Sequence, residues 1–171
     1  FGKINNILNK DQLCELFYNE LLNVIGKQGT LIVPTFTYSF FSKENYTVLK
    51  PSKMGIFSEW IRKRKNSYRS LDPNFSVSAI GPLKEYFTES IKKETYDLNS
   101  FFGKFHASNG KILNFNFPGS TIIHYYEKML KVNYRFEKKF NGKVNNKKEV
   151  WSVFSRYLKK DFIHNPFKLM R

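Results

Sequence analysis

Apolar runs of strand length alternate along this chain with stretches whose apolar residues recur at helical spacing, and that alternation most constrains the fold. TLIVPTFTY, from Thr30 to Tyr38, reads as a buried strand broken by Pro34. Before it, Asp11 to Ile25 places Leu13, Phe17, Leu21 and Val24 on one helical face, with Asp11 able to cap the free amides and Gly26 supplying a stop. After a loop anchored by Phe41 and Tyr46, a second helix is expected from Lys53 to Lys65, capped by Ser52, with Ile56, Phe57, Trp60 and Ile61 inward. The pattern continues with a strand over Phe75–Ile80 ended by Gly81-Pro82, a short helix over Lys84–Phe87 and a strand over Lys111–Phe117. It closes with a helix over Thr121–Leu130, a strand over Tyr134–Phe140, a turn at Asn141-Gly142 and a helix over Val150–Leu158. Strands alternating with helices imply a layered α/β fold, and 171 residues leave room for one domain, residues 1–171.

No apolar run approaches the roughly 18 residues of a membrane span, and the opening FGKINNILNK has neither the basic start and apolar centre of a signal peptide nor an initiator Met. The chain is therefore expected to begin inside a longer protein, and the tail DFIHNPFKLMR reads as an unfinished element, so the domain is expected to be incomplete at both ends. The one cysteine, Cys14, lies in the first helical pattern and reads as a core thiol of a reducing, cytoplasmic compartment. Twenty-nine Lys and Arg against 14 Asp and Glu give a formal charge of +15. The basic clusters Arg62 to Lys65, Lys138-Lys139 and Lys147-Lys148 are not interleaved with aromatics as a single-strand platform requires, so they read as solvated helix ends and loops. A basic nucleic-acid-binding or scaffolding domain stays as the alternative of another class.

Chemistry gathers in GSTIIHYYEK. Thr121, His124 and Glu127 are spaced three apart, so on a helix they share one broad face. Glu127 can hold one imidazole nitrogen, leaving the other to accept a proton from an amine, and Thr121 can offer a hydroxyl to a developing oxyanion. By itself the spacing is a weak signal, and a core histidine whose neighbour Glu127 pairs with a lysine is its plainer reading. No second His or Cys stands at zinc-ligand spacing. His106, in GKFHASNGK, reads as a surface loop residue, and His164 has no discernible partner.

Three further segments, GTLIVPTFTYSF, MGIFSEWIRKRKNSYRSLDPNFSVSAIG and SFFGKFHASNGKIL, stand in order before STIIHYYEK and NYRFEKKFNG. In that order the sequence resembles the aminoglycoside 3-N-acetyltransferase, or antibiotic N-acetyltransferase, family, over about Gly29 to Gly142. The resemblance implies a layered α/β/α sandwich with a central mixed sheet, truncated here at both ends, and transfer of an acetyl group from acetyl-CoA to an amine. By position it makes His124 the base, Glu127 the residue that orients it and Thr121 the group that holds the tetrahedral intermediate. It also nominates Thr35, Arg69, Ser70 and Ser76 for the acyl-CoA cleft, although each has a plain reading as a strand residue or ion-pair partner. Asp72 stands where many relatives have His, and the acidic residue that often precedes the threonine is replaced by Pro118-Gly119. The excess of bases favours an anionic, nucleotide-linked amino sugar of surface-glycan synthesis as the small-molecule acceptor. An aminoglycoside, as in antibiotic resistance, is the alternative.

Overall fold

A computed structural model describes residues 8–90, 92–115 and 119–156, which form two compact units. The first comprises the described residues 8–89 with 142–148, the second those from 90 to 141 with 149–156.

In the first unit, α1 (Lys10–Ile25) starts at Asn9. The Asn9 carboxamide accepts from the Gln12 amide at 2.9 Å while the Gln12 side chain accepts from the Asn9 amide at 3.0 Å, a reciprocal box that satisfies two otherwise free donors. Asp11, expected as the cap, is thus displaced by Asn9 and stands in the first turn, where its charge suits the helix dipole. Gly26, at φ +71°, ends the helix. The buried stripe is Leu13, Cys14 and Tyr18, not the expected Leu13, Phe17, Leu21 and Val24, and Val24 is 84% exposed.

The sheet of this unit is antiparallel in the order β1 (Leu31–Pro34), β3 (Val77–Ile80), β2 (Tyr68–Arg69). Pro34 sits at the end of β1, where its missing N–H is tolerated, and pairs with Val77. All four residues of the central strand β3 are buried. Tyr18 of α1, Val33, Ile80 and Ile61 of α2 (Ile56–Arg62) form the core, with Leu22, Leu31, Phe57 and Trp60 against it. Helix α2 is shorter than the pattern suggests, because Gly55 at φ +97° interrupts the chain just before Ile56. Ser52 does not cap it; the Ser52 amide instead donates to Glu59 at 2.8 Å. α3 (Lys84–Thr88) completes the unit. Tyr46, fully buried, donates its hydroxyl to the Ser70 carbonyl at 2.6 Å and pairs with Val144 through a parallel bridge.

The second unit holds α4 (Phe101–Ala107), capped by Ser100, and α5 (Ile123–Met129). β4 (Arg135–Val144) and β5 (Lys147–Arg156) pair as a two-stranded sheet. Helix α4 occupies a glycine-containing segment where the sequence suggests a loop; the strand expected over Lys111–Phe117 has no regular structure at 111–115, and 116–118 lie outside the described residues. The expected turn at Asn141-Gly142 is displaced to Asn145 and Asn146, at φ +49° and +66°. Both central residues of a two-residue hairpin turn take the left-handed region, which asparagine tolerates. The expected helix from Val150 is instead β5. Trp151 and Val153 turn inward on either side of the half-buried Ser152, and Glu94 bridges to Ser152 in parallel. The structure thus has the expected α/β content, with antiparallel ladders and isolated parallel bridges.

Candidate active site

In the second unit, α5 begins two residues later than the sequence suggests. Thr121 therefore stands in the turn before the helix, its carbonyl accepting from the His124 amide at 3.2 Å. The same turn carries His124 and Glu127 onto one face, with His124 Nδ1 at 2.7 Å from Glu127 Oε2. Two groups that sequence reasoning left without a role complete the carboxylate's surroundings. Tyr134 Oη donates to Glu127 Oε1 at 2.9 Å, and Arg135 Nε lies 2.6 Å from Oε2. The arginine N–H does not line up as a hydrogen bond, so this contact is an ion pair. Burial raises the Glu127 proton affinity, but hydrogen bonds from His124 and Tyr134 and the Arg135 charge outweigh it and hold the carboxyl below its ordinary value. The bond to Glu127 moves the Tyr134 phenol the other way. The Tyr96 ring stands edge-on to the imidazole at 5.8 Å. His124 is 29% exposed and Glu127 14%, so the imidazole reaches solvent while its partner is shielded. With Nδ1 donating to a carboxylate, Nε2 is left as the lone-pair nitrogen, the arrangement a general base needs. Among the described residues none hydrogen-bonds to the Thr121 hydroxyl.

Thr35, Arg69, Ser70 and Ser76 also meet, in the first unit. Thr35 Oγ1 donates to the Ser76 carbonyl at 3.1 Å and Ser76 Oγ returns a bond to the Thr35 carbonyl at 2.8 Å. Arg69 Nη2 donates to the same Thr35 carbonyl at 2.6 Å, Nη1 to the Val48 carbonyl at 2.8 Å and Nε to Ser76 Oγ at 3.3 Å. Ser70 Oγ accepts from the Val77 amide at 3.0 Å. Thr35, Ser70 and Ser76 are buried. Burial lowers the proton affinity of Arg69 and pushes the Tyr46 phenol, 5.4 Å below its guanidinium, up to about 12. The four side chains thus bind their own backbone and give shape to the segments that carry them. Asn74 holds the next turn: its carbonyl accepts from the Thr37 and Tyr38 amides, both at 3.2 Å, and its side chain from the Phe40 amide at 3.1 Å. This keeps Tyr38 at φ +55°.

A family model described as aminoglycoside 3-N-acetyltransferase matches residues 4–167. The chain belongs to the aminoglycoside 3-N-acetyltransferase family. Its enzymes are N-acetyltransferases that use acetyl-CoA. The solved structures speak for the same fold. AAC-IIIb, solved as a binary complex with CoASH, matches with a TM-score of 0.69 at 16% identity, over 90% of this chain and 70% of that one. Aminoglycoside acetyltransferase AAC(3)-Xa matches with a TM-score of 0.68 at 17% identity, over 85% and 60%. The YokD protein from Bacillus subtilis matches with a TM-score of 0.66 at 18% identity, over 87% and 69%. This chain spans between 60% and 70% of the length of these three. No curated protein sequence matches it.

Asp72, where the resemblance leads one to expect His, has a structural role here. Asp72 Oδ1 accepts from the Asn74 amide at 2.9 Å and the Phe75 amide at 2.8 Å, an Asx turn that an imidazole could not make in this form. His106 lies on α4, not in a loop, with Nδ1 3.1 Å from Tyr126 Oη. His164 falls outside the described residues. The basic run at Arg62 is largely tied down within its unit: Arg62 forks onto Glu59 at 2.8 and 2.6 Å, and Arg64 pairs with Glu15 at 3.0 Å and covers the Trp60 ring at 4.3 Å. No helix among the described residues is long and apolar enough to cross a membrane.

Proposed function

We propose that the protein transfers the acetyl group of acetyl-CoA to an amine of an aminoglycoside, with His124 as general base, Glu127 as the residue that fixes it and Thr121 as the donor to the carbonyl oxygen. The observation that carries this reading is the 2.7 Å contact between His124 Nδ1 and Glu127, made while the imidazole stays partly open to solvent. As the amine nitrogen bonds to the thioester carbon, its proton passes to Nε2. Negative charge grows on the carbonyl oxygen, which the Thr121 hydroxyl can meet. When the C–S bond breaks, the imidazolium returns the proton to the departing sulfur, so the base is regenerated within one cycle. A positioned base of this kind contributes about 10²–10⁴ in rate.

Thr35, Arg69, Ser70 and Ser76 enter as the frame of the donor segments, since their polar atoms are engaged with their own backbone. A reaction that consumes acetyl-CoA belongs to the compartment that holds it, the cytoplasm.

A specific observation favours the second acceptor, a nucleotide-linked or otherwise anionic amino sugar. All five acidic residues described in the second unit, Glu94, Asp97, Glu127, Glu137 and Glu149, are already ion-paired with the unit's own bases. A polycation would have to compete for them. Release of free thiol from acetyl-CoA, followed against aminoglycosides, amino sugars and nucleotide-linked amino sugars, decides between the two. Turnover with an aminoglycoside at the highest kcat/KM supports the first reading. A preference for the anionic sugar replaces it, and absence of turnover across the panel removes both.

A further inference from the structure

Glu127 is more heavily engaged than the task of orienting an imidazole requires. Its carboxylate receives His124 Nδ1 at 2.7 Å, Tyr134 Oη at 2.9 Å and Arg135 Nε at 2.6 Å. Arg135 is itself 12% exposed and tethered, with Nη1 donating to the Phe154 carbonyl of β5 at 3.2 Å. The only other charged side chain of α5 outside the dyad is Lys128, which binds Glu94 at 3.4 Å and Glu137 at 2.5 Å. From the segment before α4, the Tyr96 ring faces the imidazole.

A histidine held by a lone, shielded carboxylate has a difficulty as a base. The adjacent negative charge favours the imidazolium, by about 1–3 pH units when the charges are within a few ångströms. The ring would then be largely protonated at neutral pH and unable to accept. A fixed positive charge on the same carboxylate offsets that pull while leaving the carboxylate as an acceptor, and Arg135 Nε sits on Oε2, the oxygen that also holds Nδ1. We propose that Arg135 is a positioning residue that keeps Glu127 ionised, so that the carboxylate fixes the Nδ1–H tautomer of His124 without drawing the ring into its charged form. Arg135 acts on the ring through Glu127, whose Oε2 contacts both groups. Tyr134 cannot substitute, because a neutral hydroxyl satisfies Oε1 without supplying charge. The proposal rests on the reading of His124 as the base.

The test is an NMR titration of the imidazoles in the full chain, with His124 assigned by its loss in His124→Ala and the neutral tautomer read from ring ¹⁵N shifts. The neutral form of the wild-type ring should carry its proton on Nδ1. In Arg135→Met the His124 midpoint should rise by about one pH unit or more, and the rising limb of kcat against pH should move up with it. Arg135→Lys, which keeps the charge and loses the fork, should return the midpoint to within about half a unit of wild type. An Arg135→Met midpoint that is unchanged or lower overturns the proposal, as does a wild-type ring protonated on Nε2. If Arg135→Met fails to fold, the tautomer and the Lys variant still decide: a Lys variant with a raised midpoint overturns the charge argument. Undiminished turnover in His124→Ala would instead remove the general-base reading and leave the tautomer measurement standing, so the two failures are distinguishable.

Discussion

The two polar clusters of this protein use similar side chains to opposite ends. Around Arg69, hydroxyls and a guanidinium are folded onto the carbonyls of Thr35, Val48, Lys50 and Ser76, with Thr35 and Ser76 wholly buried. Around Glu127, the carboxylate is saturated by three partners, yet the imidazole it holds keeps one nitrogen without a hydrogen bond among the described residues. Buried polar atoms without partners cost about 1–3 kcal/mol each, which is why the first cluster is closed. A catalytic group has to keep one such atom available, and the second cluster does so only at a place that solvent reaches. Closure marks scaffold, and one open atom in a saturated network marks a site.

The largest expected effect follows from that open atom. His124→Ala should lower kcat by about 10²–10⁴ while the unfolding midpoint in urea stays nearly unchanged, because the side chain is part-exposed and supports no core. Steady-state rates together with urea unfolding measure both. A variant that loses stability instead of turnover would place His124 with the scaffold and erase the contrast.

Arg69→Met should show the reverse, a loss of stability of about 1–3 kcal/mol, as the Lys50 and Thr35 carbonyls lose a part-buried charged donor that the thioether cannot replace. Urea unfolding of the variant gives the number. A variant as stable as wild type would mean that the cluster is not closed on itself, and would return Arg69 to consideration as a group that contacts a ligand directly.

How far the sequence led differs between the two clusters for the same physical reason. The dyad was legible because three-residue spacing on a helix is local geometry, and α5 needed only to form, even two residues late, for His124 to meet Glu127. Tyr134 and Arg135 stand seven and eight residues beyond Glu127, across the turn into β4, where no periodicity links them to it. The segment NYRFEKKFNG pointed at them without saying what they do. In the Arg69 cluster the residues were named, but that their bonds point inward depends on β1–β3 pairing across more than forty positions, which composition does not reveal. The helix expected where β5 stands has a similar cause. VWSVFS has both a helical and an alternating reading, and only the hairpin turn at Asn145-Asn146 chooses.

The smallest expected effect tests whether the saturated carboxylate contributes to folding at all. Burial raises the proton affinity of Glu127, and bonds from His124 and Tyr134 with the Arg135 charge more than reverse it, leaving its folded-state value below the ordinary one. A group whose value is lower folded than unfolded binds fewer protons in the native state between the two, so stability rises with pH across that interval. The contribution is complete above the ordinary glutamate value, near about 4.3, and is lost as pH falls through the lower folded value. The pair network is partly exposed, so the total should be of order 1 kcal/mol or less. Urea midpoints taken from pH 6 downward should decline more steeply in wild type than in Glu127→Gln, which has no proton to bind there, and the two curves should converge at the acidic end. Parallel declines would mean that Glu127 titrates alike in both states. The carboxylate would then be no better held than a surface acid, and the contrast between a closed scaffold and a saturated site would lose its second half.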